Sequence, residues 1–414
     1  MVRNMLLKFK FSNYRCFYDE TVFDMTATAI KEHRYSLIEK NGVYILPIST
    51  IYGANASGKS SFFMAFDRMK AVIVDRFVAK EQSKGVTLPF SQPFIFSDKS
   101  QKEPTKYEVT VLINEYEYRY GFSCSNDTII SEYLYKRKIS KNYTVEKMIF
   151  ERNGTNVKIG TINKKLGNEI AYCASMVSDK ILILTDIGLR DKEKEIAGLF
   201  KWFYFVDVIL NMTQKNMSNS GFCERFIGDA LSSVRLDDDI KSEFKKLVHE
   251  VDPNITDIIS KEEIDAEGNT INIARTKHLA DGKEKIISLS LESDGTNKWM
   301  FLSIVLLFSL HNGLPCFIDE LDAQLHPLII RKIVQMFTDK QLNPNGAQLI
   351  FSAHNIINLD SSDLRRDEIW FVEKNNHKSS LYSLADFDDG GIRSDLNYGK
   401  HYLSGRFGAV PFQE

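Results

Sequence analysis

The run Gly53-Ala54-Asn55-Ala56-Ser57-Gly58-Lys59-Ser60 constrains this chain more than any other segment. It satisfies G-x-x-x-x-G-K-[ST], the pattern of a phosphate-binding loop, at every fixed position. Its flanks fit as well. The apolar stretch Val43-Tyr44-Ile45-Leu46-Pro47-Ile48 leads through Thr50-Ile51-Tyr52 into the loop, as a strand does. After the loop, Phe62, Phe63, Phe66, Met69 and Val72 recur at the spacing of one helix face.

Such a loop has a specific physics. Its glycines let the backbone curl so that successive N–H groups point at one phosphate chain. The helix that starts near Lys59 adds the positive end of its dipole. Gly53, Asn55, Ala56, Ser57, Gly58 and Ser61 are expected to form the cradle. Lys59 is expected to reach the β- and γ-phosphates, and the Ser60 hydroxyl to hold Mg²⁺.

Nucleotide chemistry of this kind also needs an acid beside the loop. Leu314-Pro315-Cys316-Phe317-Ile318 reads as a buried strand and ends in Asp319-Glu320. Asp319 is expected to hold Mg²⁺, and Glu320 to act as general base or to orient the attacking water. A third apolar strand, Gln348-Leu349-Ile350-Phe351, runs into Ser352-Ala353-His354-Asn355. Ligands gather at the carboxyl ends of such strands, which places His354 near the γ-phosphate.

These three segments, in this order, resemble the ABC-type ATPases, the class of transporter motors and SMC-like repair proteins. Asn55 fits the loop variant of SMC-like heads. The resemblance implies a two-lobed α/β head with a P-loop sheet, an antiparallel β layer and a short helical insertion. It also implies ATP, rather than GTP, with Mg²⁺. The class uses a signature loop to complete a partner subunit's site. Leu291-Glu292-Ser293-Asp294-Gly295-Thr296 stands in the right place, just before the apolar run Trp299 to Leu310. It departs from L-S-G-G-Q, and Ser293 or Asp294 also suits a plain helix N-cap. Both readings hold together, because a helix start is where a γ-phosphate docks. With Ser293 and Gly295 in that role, two copies sandwich ATP as a homodimer or higher homo-oligomer. Gln92 stands where the class has a glutamine on Mg²⁺. Arg15 is either a nucleotide contact or an exposed arginine after a strand.

A narrower resemblance covers nearly the whole chain. Leu7 to Phe17, Pro93-Phe94-Ile95-Phe96, Pro104 to Val109 and Tyr118 to Phe122 are similar to ATPases of bacterial phage-defence (abortive-infection) systems. So are Asp367 to Phe371 and Tyr402 to Pro411. They resemble the AbiL-type and RloA-type proteins, and more distantly the PARIS ATPase. The resemblance implies AAA-class, SMC/OLD-like heads that control a partner, a TOPRIM-like nuclease or a toxin. OLD-type relatives carry the nuclease in the same chain, whereas about 60 residues follow His354 here, fewer than another domain needs. The effector is therefore expected in another chain. The acids Asp386, Asp388 and Asp389 read as a loop rather than a metal site. Two alternatives stay open: a DNA-repair or structural-maintenance clamp, and an ATP-binding antitoxin-like scaffold with little turnover.

Composition narrows the partners. Lys+Arg is 53 against Asp+Glu 55, a net of −2, so bulk charge gives no pull toward nucleic acid or anionic membrane. The cluster Lys136-Arg137-Lys138 with Lys141 reads as a solvated loop or strand end rather than a DNA site. The five cysteines are scattered and include no C-x-x-C pair, which fits a reducing cytoplasm. Met1 to Phe11 carries Lys8 and Lys10 and does not read as a secretory signal. Trp299 to Leu310 is shorter than the roughly 20 residues of a membrane span.

Three regions are expected: lobe one over 1–185, a helical insertion over 186–255, and lobe two over 256–414. Within lobe one, Tyr107 to Ile113 and Tyr116 to Tyr120 alternate as hairpin strands do. Arg190 to Phe205 and Cys223 to Val251 read as helical. At roughly 65 residues, that insertion is far too short for a coiled-coil arm.

Overall fold

The computed structural model describes residues 4–74, 89–140, 144–176, 178–190, 196–210, 221–233, 236–356, 359, 363–387 and 397–411. The expected α/β architecture with an antiparallel layer is present. Asp388, Asp389 and Lys141 lie outside the described residues.

The phosphate-loop strand, Ile48–Tyr52, lies inside a six-stranded sheet. Across that sheet run Asp207–Ile209, Pro315–Ile318, Gln348–Ser352, Ile48–Tyr52, Ile369–Asn375 and Lys378–Ser383. The first five are parallel, and Lys378–Ser383 closes one edge antiparallel. All residues of Ile48–Tyr52, Pro315–Ile318 and Gln348–Ser352 are buried. That explains their apolar runs without alternation, the mark of a sheet covered on both faces. Parallel pairing brings the ends of these strands to one edge, since Phe351 pairs with Ile318 and Ser352 with Ile51.

A seven-stranded antiparallel sheet forms the second layer. It includes Asn4–Ser12, Thr105–Ile113, Tyr116–Ser125 and Thr128–Lys138. Between the layers runs the loop's helix, Lys59–Val74. Its buried face is Phe62, Phe63, Ala65, Phe66, Met69 and Ile73. Ile73 takes the place expected of Val72, which is half-buried. Phe66 stacks on Phe317 at 3.9 Å, locking this helix to the Asp319 strand.

The sheets cut across the three expected regions. Residues 1–185 and 256–414 both supply strands to the central sheet. The segment 186–255 supplies one too, because Asp207–Ile209 pairs with Pro315–Ile318. Among the described residues, Ile183–Arg190 runs into the first expected helical stretch, which holds Ala197–Phe205, and the second holds Phe222–Ser232 and Asp238–Val251. A third sheet, Ile255–Ile264, Thr270–Ala280 and Lys283–Ser288, leads into the helix Asp294–Asn312. That helix is nearly all core, with 13 of its 19 residues buried.

At the basic cluster, Arg137 pairs with Glu117, Lys138 with Glu115, and Lys136 lies over the Tyr116 ring. All five cysteines are free thiols. Among the described residues, no helix is long and apolar enough to cross a membrane.

Candidate functional site

The phosphate loop turns sharply because two glycines permit it. Gly58 sits at φ 121, and a Cβ there would meet Ser379 Oγ at 2.7 Å and Cys16 Sγ at 2.9 Å. Gly53 sits at φ 156, and a Cβ there would meet Ser57 Oγ at 2.8 Å. Only glycine accepts that backbone and that crowding. Ala56, at φ 62, also adopts the left-handed region.

The loop forms one wall of a cleft of about 820 Å³. Asn55, Ala56, Ser57, Gly58, Lys59, Ser60 and Ser61 line that wall; Arg15, Cys16, Glu320, His354 and Lys374 line the rest. Lys59 is buried, and its Nζ donates to the carbonyls of Gly53 at 2.7 Å and Ala54 at 3.1 Å. Burial pushes the Lys59 ammonium below its ordinary value, while Asp319, Glu320 and Asp322 pull it back up.

The structure brings the loop, Glu320 and His354 together at the shared strand edge. The His354 ring Nε2 stands 3.7 Å from Glu320 Oε1. Asp319 is fully buried; its Oδ1 accepts a hydrogen bond of 2.6 Å from Ser352 Oγ. The same Oγ accepts the Glu320 N–H at 2.7 Å. Glu320 follows at φ 55, a left-handed conformation uncommon for a side chain of its size. Asp322 Oδ2 accepts the N–H groups of His354 at 2.8 Å and Asn355 at 2.5 Å, which ties the histidine loop to the acid loop.

Sequence reasoning missed four residues here. Ser352 bridges the two acids, Asp322 anchors His354, and Lys374 lines the cleft and donates to Ala56 O at 3.4 Å. Lys298 is the fourth. It is fully buried in the apolar helix, and its Nζ donates to Glu320 O at 2.9 Å and Ala323 O at 2.7 Å. The Asp322 anchor had a readable signal, an acid two residues beyond Asp319-Glu320 in a turn. The other three had none.

Five expected residues are not in the cleft lining: Gly53, Asp319, Gln92, Ser293 and Gly295. Gln92 reaches its rim only by backbone, where its carbonyl accepts the Arg15 N–H at 2.7 Å. Ser293 and Gly295 open the helix Asp294–Asn312. Ser293 is its N-cap, accepting the Thr296 N–H at 3.0 Å, and is exposed. Behind it, Glu292 is held by Thr276 at 2.6 Å and by His278 at 2.7 Å.

The site fits a triphosphate and a divalent cation. Among the described residues, Asp319 Oδ2 and Ser57 Oγ are buried without a hydrogen-bond partner, and both belong to the segments around the cleft. A hard cation takes oxygen ligands of this type, and the glycine cradle leaves backbone N–H groups for phosphate. Among the described residues, no group of three or more His, Cys, Asp or Glu stands ready as a self-contained metal site.

A family model described as "AAA domain, putative AbiEii toxin, Type IV TA system" matches residues 48–157 and 200–360. The chain belongs to that family. The matched ranges include the phosphate loop in the first and Ser293, Lys298, Asp319, Glu320 and His354 in the second. No curated protein matches the sequence. Among solved structures, the SMC head domain from Thermotoga maritima is 12% identical and aligns over 91% of this chain and 98% of its own, with a TM-score of 0.42. The Smc head domain with a coiled coil and joint from Pyrococcus yayanosii is 10% identical over 98% of this chain and 100% of its own, with a TM-score of 0.42.

Proposed function

We propose that this chain hydrolyses ATP in the cleft between the phosphate loop and the Asp319-Glu320 turn. In this reading, a second copy closes over the nucleotide. The observation that carries the proposal is the Ser352 bridge, which ties buried Asp319 to Glu320, a residue that lines the cleft together with Lys59.

The residues divide the work. Backbone N–H groups from Asn55 to Ser61 hold the phosphates, with the helix dipole behind them. Lys59 exchanges its loop carbonyls for phosphate oxygens. Ser60 and the unpartnered Oδ2 of Asp319 would hold Mg²⁺, which would supply charge neutralisation for the phosphates. Glu320 takes a proton from the water that attacks the γ-phosphorus, and ADP and phosphate leave. His354, 3.7 Å from Glu320, lies within reach of the same water or of the γ-phosphate. Gln92 has no part in this reading.

Ser293 and Gly295 are then free to complete the site of a second copy, so ATP binding and pairing are one event. The family's description names a toxin of a type IV toxin–antitoxin system. It supports the reading that the paired state controls a separate effector in defence against phage, a nuclease or a toxin.

Glu320→Gln tests the assignment. It keeps the shape and removes the base, so the variant is expected to bind ATP, lose at least about 100-fold in kcat and accumulate as a dimer. A variant as fast as the parent refutes Glu320 as the base. A parent that binds ATP and does not turn it over supports the scaffold reading instead.

A further inference from the structure

Lys298 stands where a charge is expensive. It lies in a stretch of helix, Asn297 to Leu307, that is otherwise uncharged and entirely buried. Its side chain is fully enclosed and is not part of the cleft lining. Enclosing an ammonium costs several kcal/mol unless it is well partnered. Here the hydrogen-bond partners are two backbone carbonyls, Glu320 O at 2.9 Å and Ala323 O at 2.7 Å. They flank the Leu321-Asp322 step of the acid turn.

That turn holds unusual backbone. Glu320 has φ 55 and Gln324 has φ 63. Left-handed residues with long side chains cost of order 1 kcal/mol or more and persist only where their surroundings hold them. The Glu320 backbone is held on both sides: Ser352 Oγ accepts its N–H at 2.7 Å, and its carbonyl accepts from Lys298 Nζ at 2.9 Å and from the Ala323 N–H at 3.2 Å. The helix touches the same turn a second time, because a Cβ on Gly295 would stand 3.0 Å from Gln324 O. The start of the helix and the acid turn therefore meet at two points, one of them charged.

We propose that Lys298 is a positioning residue: it fixes the turn that aims Glu320 into the cleft and couples that turn to the helix start carrying Ser293 and Gly295. A partner that engages Ser293 would move the helix, and Lys298 would transmit the movement to the Glu320 backbone. The inference deepens the hydrolytic reading above and rests on it for its catalytic consequence; the structural coupling does not depend on turnover.

The test compares Lys298→Met, which keeps length and apolar stem, with Lys298→Arg, which keeps the charge. Hydrogen exchange is measured on protein without added nucleotide. In Lys298→Met, amides of residues 321–325 are expected to exchange about tenfold faster, while those of the remote strand Tyr107 to Ile113 stay unchanged. Lys298→Arg is expected to restore most of the protection. Equal acceleration in both regions would mean a general loss of packing and would overturn the proposal, as would no change in either. In steady-state hydrolysis, Lys298→Met is expected to lower kcat by about 30-fold with KM within about threefold of the parent. Combined with Glu320→Gln it is expected to add no further loss, because both act through one carboxylate. Full additivity would refute action through Glu320. A parent that hydrolyses nothing would sink the hydrolytic reading alone, since the exchange comparison still decides the coupling. If Lys298→Met does not fold, Lys298→Gln takes its place in both measurements.

Discussion

Ser352→Ala removes one oxygen atom and strands two polar groups. The residue is fully buried, and its Oγ serves Asp319 Oδ1 at 2.6 Å and the Glu320 N–H at 2.7 Å. A buried donor or acceptor left without its partner costs about 1–3 kcal/mol, at the upper end for an ionised one. Asp319 Oδ2 already has no hydrogen-bond partner, so the carboxylate would lose its one identified donor. With some relaxation and water entry, the sum is expected at about 2–4 kcal/mol of unfolding free energy. Activity is expected to fall for a separate reason. The turn at Glu320 loses its N-terminal anchor, and a displacement of about 1 Å of a reacting group costs on the order of 100-fold. Nucleotide affinity is expected to hold within a few-fold, because the cradle amides are untouched. Urea unfolding, steady-state hydrolysis and titration with a fluorescent ATP analogue measure the three quantities. A variant within about 0.5 kcal/mol of the parent, with kcat within twofold, would show that the bridge does not position the acids.

Two other perturbations probe different regions. Ser293→Arg places a long cation at the exposed start of the helix Asp294–Asn312 and removes its cap, for a cost of about 1 kcal/mol. It is expected to abolish ATP-dependent dimerisation in light scattering while the monomer still binds nucleotide, and an unchanged dimer would remove Ser293 from the interface. Asp207 is pushed up to about 6 by burial, against the pull of Lys70. A folded value above the unfolded one favours folding with the carboxyl protonated; that contribution is complete below about pH 4 and is lost as pH rises through 6. Asp207→Asn is therefore expected to stabilise the protein at pH 7.5 by about 1–2 kcal/mol, less than the roughly 3 kcal/mol of the full shift because the group is partly exposed. Urea melts should show no gain at pH 4, and an equal gain at both pH values would refute the electrostatic cause.

The parts of the site that the sequence made legible are local. Gly53 to Ser60 is contiguous, so its geometry follows from its own glycines and the helix it opens. Asp319-Glu320 and His354 each end an apolar strand, and a parallel sheet has one edge where such ends meet. What stayed hidden depends on strand order. Gln348–Ser352 runs between the phosphate-loop strand and the Asp319 strand, so Ser352 faces Asp319. Nothing in a buried run such as Gln348 to Phe351 states which neighbours it has, because covered sheets lose the alternation that marks a face. The same loss let Asp207–Ile209 pass for part of a helical region. Lys298 was hidden differently: a single lysine in an apolar helix has no periodicity to show that it points inward.

Two buried lysines separate the roles within this cluster. Burial depresses both, Lys298 to about 8, and both are pulled back by Glu320 and Asp322. Lys59 lines the cleft, and its partners are carbonyls of a loop that phosphate oxygens can replace. Lys298 is sealed away, and its partners are carbonyls of the acid turn, which no ligand in the cleft can replace without moving the turn. One cation is therefore exchangeable and the other is fixed. Asp319, Glu320 and Asp322 together outweigh the two lysines by one charge when all are ionised. Asp322 holds the His354 loop through Oδ2 alone; among the described residues its Oδ1 and the Oδ2 of Asp319 are both buried without a hydrogen-bond partner. In the proposed reading, a divalent cation held by Asp319 would offset this negative charge beside a cradle suited to a polyanion.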